Sequence, residues 1–150
     1  MAKKRTDEQR ARFMAAPAYS GTLPAFTVNL LVRNVEASVR FYSDVLGVDV
    51  QYADPDFAAL RVGGHEFMLH ADHAYDTHPW YRALVGNERR GLGAELRLMG
   101  HDADEVERRA VAAGVAVLRH AATKGHGIRE FIVEDPDGYA WAVGSLVDAS

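Results

Sequence analysis

One arrangement occurs twice in this 150-residue chain, and nothing else in the sequence constrains its fold as tightly: a strand, a capped helix, a closing glycine and three short strands. In the first copy, residues 26–33 alternate, with Val28, Leu30 and Val32 on one face and Thr27, Asn29, Leu31 and Arg33 on the other. Asn34 is placed to cap a helix over 34–47, in which Val35, Val39, Tyr42 and Leu46 recur at helical spacing and Gly47 supplies the stop. Strands are expected at 48–52, 57–62 and 66–70, separated by Asp54-Pro55-Asp56 and by Gly63-Gly64. In the second copy residues 94–99 alternate, Asp102 caps a helix with Glu105 at capping-box spacing, and Gly114 ends it. Strands follow at 115–119, 128–134 and 139–145, the last two joined by the turn Asp135-Pro136-Asp137-Gly138. The expected class is α+β, with two β-α-β-β-β modules forming cupped mixed sheets.

The modules span 26–70 and 93–146 within one domain over 26–150, with a linker at 71–92. Residues 1–25 form an N-terminal extension. A short charged helix with Thr6 as its cap fits residues 6–15, and Pro17, Gly21 and Pro24 are expected to break it. The extension reads either as a frayed tail or as an arm that lies on a partner subunit.

Composition narrows the function. Seventeen Lys and Arg against 21 Asp and Glu leave no strongly basic face, so nucleic acid is not an expected partner. No apolar run reaches the ~20 residues of a membrane helix, and no apolar stretch follows the basic N-terminus as in a secretory signal. The absence of cysteine removes disulfides, thiolate metal sites and a Cys nucleophile. A cytoplasmic location without membrane contact is expected by default.

Two stretches, VRNVEASVRFYSDVLGV and GIREFIVEDPDGYAWAV, resemble the vicinal oxygen chelate superfamily of glyoxalases, bleomycin-resistance proteins and extradiol dioxygenases. The similarity covers residues 26–146. DFAALRVGGHEFMLHADH and the DPDG segment most resemble the bleomycin-sequestering members. The resemblance implies cupped sheets and a homodimer that completes a ligand groove, and leaves the ligand open.

Catalytic members of that superfamily hold a divalent ion with four side chains, typically His or Gln, Glu, His and Glu. The matching places here are Thr27, Met68, Glu95 and Ala142, of which only Glu95 is an ordinary ligand. No metal and no cofactor is therefore expected. A divalent ion is the alternative, held by a displaced site drawn from His70, Asp72, His73 and His78 with Glu95.

The expected ligand-binding residues are Asn29, Tyr52, Phe57, Arg61, His70, Trp80, Glu95, Arg97 and Glu130. Tyr81 stands beside Trp80 at the rim, and Arg129 is within reach of either the DPDG turn or the groove. A carboxylate at Glu95 that faces a hollow needs a cation, a donor or a ligand, and Arg97 or Arg61 would serve. Aromatic rings with a few fixed polar groups are how such clefts hold flat ligands. The expected function is sequestration of an aromatic or cationic compound. The alternatives are a metal-dependent lyase, isomerase or dioxygenase, and metal-free acid–base catalysis by Glu95 and His70.

Overall fold

The computed structural model describes residues 16–148. The expected helix at 6–15 lies outside the described residues. By internal contacts the described residues divide into two units, one of residues 16–43 and 47–86, the other of 44–46 and 87–148.

The first unit contains α1 (Ala16–Thr22), β1 (Asn29–Val32), α2 (Val35–Arg40), β2 (Asp49–Ala53), β3 (Phe57–Val62), β4 (His65–Ala71) and a one-turn helix α3 (Tyr81–Leu84). Its four strands run in the order β1-β4-β3-β2, with β1 parallel to β4 and the other pairs antiparallel. The second unit contains β5 (Glu95–Met99), α4 (Ala103–Ala112), β6 (Val117–Thr123), β7 (Ile128–Glu134) and β8 (Ala140–Leu146). It repeats the pattern as β5-β8-β7-β6, again with one parallel pair. The α+β class and the paired β-α-β-β-β modules are as the sequence predicts.

Alternation sets each core. Leu30, Val32, Leu60, Phe67, Leu69 and Ala71 point to one side of the first sheet and are buried, together with Val35, Tyr42 and Leu46 of the helical segment. Asn34 accepts a hydrogen bond from the Ala37 amide at 2.9 Å, the expected cap. The helix does not stay α-helical to Gly47. Residues Phe41–Val45 widen into a π turn, and Phe41, Tyr42, Val45 and Leu46 are buried there. In the second unit Leu98, Val106, Ala110, Phe131, Val133, Trp141 and Val143 are buried. The Asp102 carboxylate accepts from the Asp104 and Glu105 amides, at 3.0 and 3.1 Å. The capping box is only half made, because the Glu105 carboxylate accepts from Arg109 at 3.1 Å instead.

Two departures bear on the site. Pro17 and Gly21, read from the sequence as helix breakers, themselves lie inside α1. Proline in a first turn forfeits no needed hydrogen bond, and packing of Tyr19 outweighs the poor propensity of Gly21. The sixth strand begins at Val117 and continues to Thr123, later than the 115–119 expected, since Val115 bonds back to the Ala110 carbonyl at the helix end. Among the described residues no helix is long and apolar enough to cross a membrane.

Candidate functional site

The faces of the two sheets opposite their cores carry most of the residues singled out by the sequence. In the first unit this face is aromatic. Met68 and His70 of β4, Phe57 and Ala59 of β3, Tyr52 of β2 and Asn29 of β1 share it by register. Met68 and His70 stand on a central strand, and Asn29 and Tyr52 on the two edges.

His70 Nδ1 lies 2.7 Å from the Asn29 carboxamide oxygen, which can only accept, so Nδ1 is the donor of this pair. The imidazole also begins a row of rings. Its centroid is 5.0 Å from Phe57 on one side and 4.6 Å from Tyr75 on the other, stacked on the latter. Tyr75 stacks on His78 at 5.3 Å, and His78 meets Trp80 at 5.3 Å. Trp80 is 65% exposed, whereas Phe57 is 4% exposed, so the row runs from a closed end to an open one. Tyr52 joins at the closed end, 6.3 Å from Phe57, with its hydroxyl donating to Asp54 at 2.6 Å. Tyr81, the other rim aromatic, begins α3.

Arg61 is not part of this group. It sits at the far end of β3 and pairs with Glu66, its register partner on β4.

In the second unit the corresponding face is charged. The Arg97 guanidinium donates to Glu95 at 2.6 Å and to Glu130. Arg119 donates to the other oxygen of Glu130 at 3.1 Å. The two carboxylates hold Arg97 still more firmly protonated than usual, Glu95 contributing most. Glu95 was expected to be the carboxylate in need of a partner because of burial. The structure places that burden on Glu130, which is buried, while Glu95 is exposed. The reason is position in the sheet: β5 is an edge strand and β7 is flanked on both sides. Ala142 and Gly144 form the small-residue floor beside them. A Cβ on Gly144 would stand 2.1 Å from the Arg129 carbonyl, so only glycine fits there.

Arg129 reaches neither the turn nor the groove. It clamps Asp104 of α4 with two hydrogen bonds of 2.7 Å, which pull the Asp104 carboxyl below its usual range. The turn before β8 is closed from within, by Asp135 accepting from the Asp137 and Tyr139 amides, each at 2.9 Å.

The four places matched to metal ligands do not fit a divalent ion. The Thr27 hydroxyl donates to the Glu66 carbonyl at 2.8 Å, Met68 packs in the aromatic cluster, Ala142 has no donor atom, and Glu95 is taken by Arg97. The displaced set is also dispersed. His70 binds Asn29, His73 lies 2.7 Å from Asp56, and His78 accepts from the Trp80 amide at 3.1 Å. Among the described residues no three His, Asp or Glu side chains come together as a metal site.

A cleft of about 360 Å³ opens at the end of the first sheet, where Asn34, Val35, Val39, Asp54, Pro55 and His73 face one another. Its lining excludes Asn29, Tyr52, Phe57 and His70. Arg33, counted with the polar face in the sequence, lines this cleft instead.

Sequence reasoning missed Tyr19, Tyr75 and Arg119. Arg119 alternates with its neighbours and was recoverable. Tyr75 lies in a stretch without periodicity, and Tyr19 lies in one dominated by helix breakers.

This topology and its two signatures define a family. The chain belongs to the Glyoxalase/Bleomycin resistance protein/Dioxygenase superfamily, whose sequence model matches residues 25–143. Among solved structures it is similar to a glyoxalase-related enzyme from Fulvimarina pelagi, with 23% identity over 81% of this chain and 87% of that one, and a TM-score of 0.66. A glyoxalase/bleomycin resistance protein/dioxygenase family enzyme from Burkholderia phytofirmans PsJN gives 20% identity over 81% and 97%, with a TM-score of 0.65. A virulence protein from Salmonella typhimurium covers 98% of this chain and 100% of its own length at 19% identity, with a TM-score of 0.59. At these identities the similarity concerns the fold. None of the curated proteins compared matches the sequence.

Proposed function

We propose that this protein binds a flat aromatic compound, cationic in preference to anionic, without a metal ion, in the manner of the bleomycin-resistance branch of its family. One observation carries the reading: the graded row of rings from Phe57 through His70, Tyr75 and His78 to the exposed Trp80. A buried end and an open end make a track along which a planar ligand can stack, and each ring face attracts positive charge. Asp72 and Asp76 in the same segment, and a net charge of −4, favour a cation further. The proposed setting is a cytoplasmic homodimer whose second copy completes the groove.

Acid–base catalysis by Glu95 and His70 is less well supported. The Glu95 carboxylate is occupied by Arg97, and a general base must be able to reach its proton.

Fluorescence titration tests the binding reading directly, because Trp80 is exposed and the other tryptophan, Trp141, is buried. A bleomycin-type drug and a planar acridinium dye are expected to quench Trp80 saturably, and equally after exhaustive chelation. Trp80→Ala should weaken binding about 10-fold, as the loss of one stacking partner implies. Absence of saturation across a panel of planar cations, or dependence on an added metal, would overturn the reading.

A further inference from the structure

The first unit's aromatic face is already occupied at its closed end, by a part of the same chain. Tyr19 of α1 is 7% exposed, with its ring edge-on to Phe57 at a centroid distance of 5.3 Å. Phe57 and Ala59 are buried with it, and Leu23, Tyr52 and Met68 pack around the three. A planar ligand following the ring row inward meets Tyr19 at Phe57.

We propose that α1 is a displaceable occupant of this face, and that Tyr19 holds the place of a ligand's aromatic ring until the ligand expels it. The proposal rests on the reading of the face as a ligand site and adds its regulation.

Three observations support displacement over a permanent wall. The helix Ala16–Thr22 has seven residues, among them Pro17 and Gly21, and a helix that short is not stable in water without tertiary contacts. Its order therefore depends on the face it covers. What the described residues show of its anchorage is apolar, the Tyr19 ring and Leu23 within one cluster, a kind of contact that an apolar ligand surface can replace. Finally, the Tyr19 ring is chemically the same kind of object as the proposed ligand, and its edge-to-face contact with Phe57 is one that a free aromatic ring reproduces. Binding then requires the open state, so the apparent affinity falls by the fraction of molecules that are open.

The test uses the full chain in three forms: the native protein, Tyr19→Ala, and the conservative Tyr19→Phe. Two probes are used, the planar acridinium dye and 1-anilinonaphthalene-8-sulfonate, which reports uncovered apolar surface whatever the natural ligand is. Trp141 emission checks that the second unit is intact in each form. Tyr19→Ala is expected to raise the sulfonate probe's emission several-fold and to bind the dye about 10-fold more tightly, while Tyr19→Phe behaves as the native chain. Dye binding should also increase amide hydrogen exchange over 16–23.

If Tyr19→Ala leaves both probes unchanged, or if 16–23 becomes more protected when the dye binds, α1 is a fixed wall and the proposal fails. If no form binds the dye but Tyr19→Ala still gains sulfonate-probe emission, the binding reading fails while α1 stands as a removable cover. Should Tyr19→Ala prove unstable, Leu23→Ser replaces it with the same expected outcomes.

Discussion

In the first unit, Phe57 and Ala59 on a central strand lie buried beneath Tyr19. In the second, the matching central strand carries Glu130 beneath Arg97 and Arg119. The strand orders are the same and both faces must be covered, yet the means are opposite. An apolar face is stabilised only by something else apolar laid upon it, so the first unit uses a segment from outside its own repeat. A charged face satisfies itself, provided that each buried carboxylate finds its cations within the sheet. A repeated topology thus leaves the chemistry of the two hollows free to diverge, and here only the aromatic one has a removable cover.

Three measurements sharpen or break this comparison. The largest effect is expected at Phe57. Phe57→Ala removes a buried ring and should cost about 3–4 kcal/mol in urea unfolding, with little dependence on salt. A loss below about 1 kcal/mol would mean that the aromatic cluster is not part of the first unit's stability.

Glu130→Ala should cost about 2 kcal/mol. This is less than for a fully buried pair, because the Arg97 and Arg119 side chains are 40% and 44% exposed and regain water. Adding Arg97→Ala to Glu130→Ala should then cost less than it does alone, and additivity of the two would show that they do not interact.

The smallest effect concerns pH. Burial, with a contribution from Glu66, pushes the Tyr19 hydroxyl up to about 12. A raised tyrosine favours its neutral form in the folded state. Its stabilisation is therefore complete below the unfolded value of about 10 and lost as pH rises through 12. The difference in tyrosinate absorbance between the native chain and Tyr19→Phe should titrate near 12. A difference curve centred near 10 would place Tyr19 in water.

Much of the fold was legible in the residues. Period-two runs such as 57–62 and 128–134, and caps such as Asn34 and Asp102, act through local sterics and hydrogen bonds that the sequence displays. The site was legible in part. The sequence offered Asn29, Tyr52, Phe57, Arg61, His70, Trp80, Glu95, Arg97 and Glu130 as a single ligand-binding set; the structure divides it, with Asn29, Tyr52, Phe57 and His70 on the first sheet and Glu95, Arg97 and Glu130 on the second. It offered Arg97 as a partner of Glu95, which the structure shows, but it expected Glu95 to be buried; exposure depends on whether a strand is an edge, and strand order is a long-range property. It did not indicate the carboxylate partners of Arg61 and Arg129, Glu66 and Asp104, because these lie on other elements.

The sequence by itself determined the repeated module, the alternation that separates core from hollow, and the poverty of metal ligands at the four matched places. Those are decided by residue type and by spacing along the chain. The tertiary structure alone decided which carboxylate is buried, that His70 joins a row of rings ending at Trp80, and that Tyr19 closes the other end. The physical reason is that these depend on contacts between residues distant in sequence, such as Tyr19 and Phe57, where packing overrides what Gly21 prefers locally.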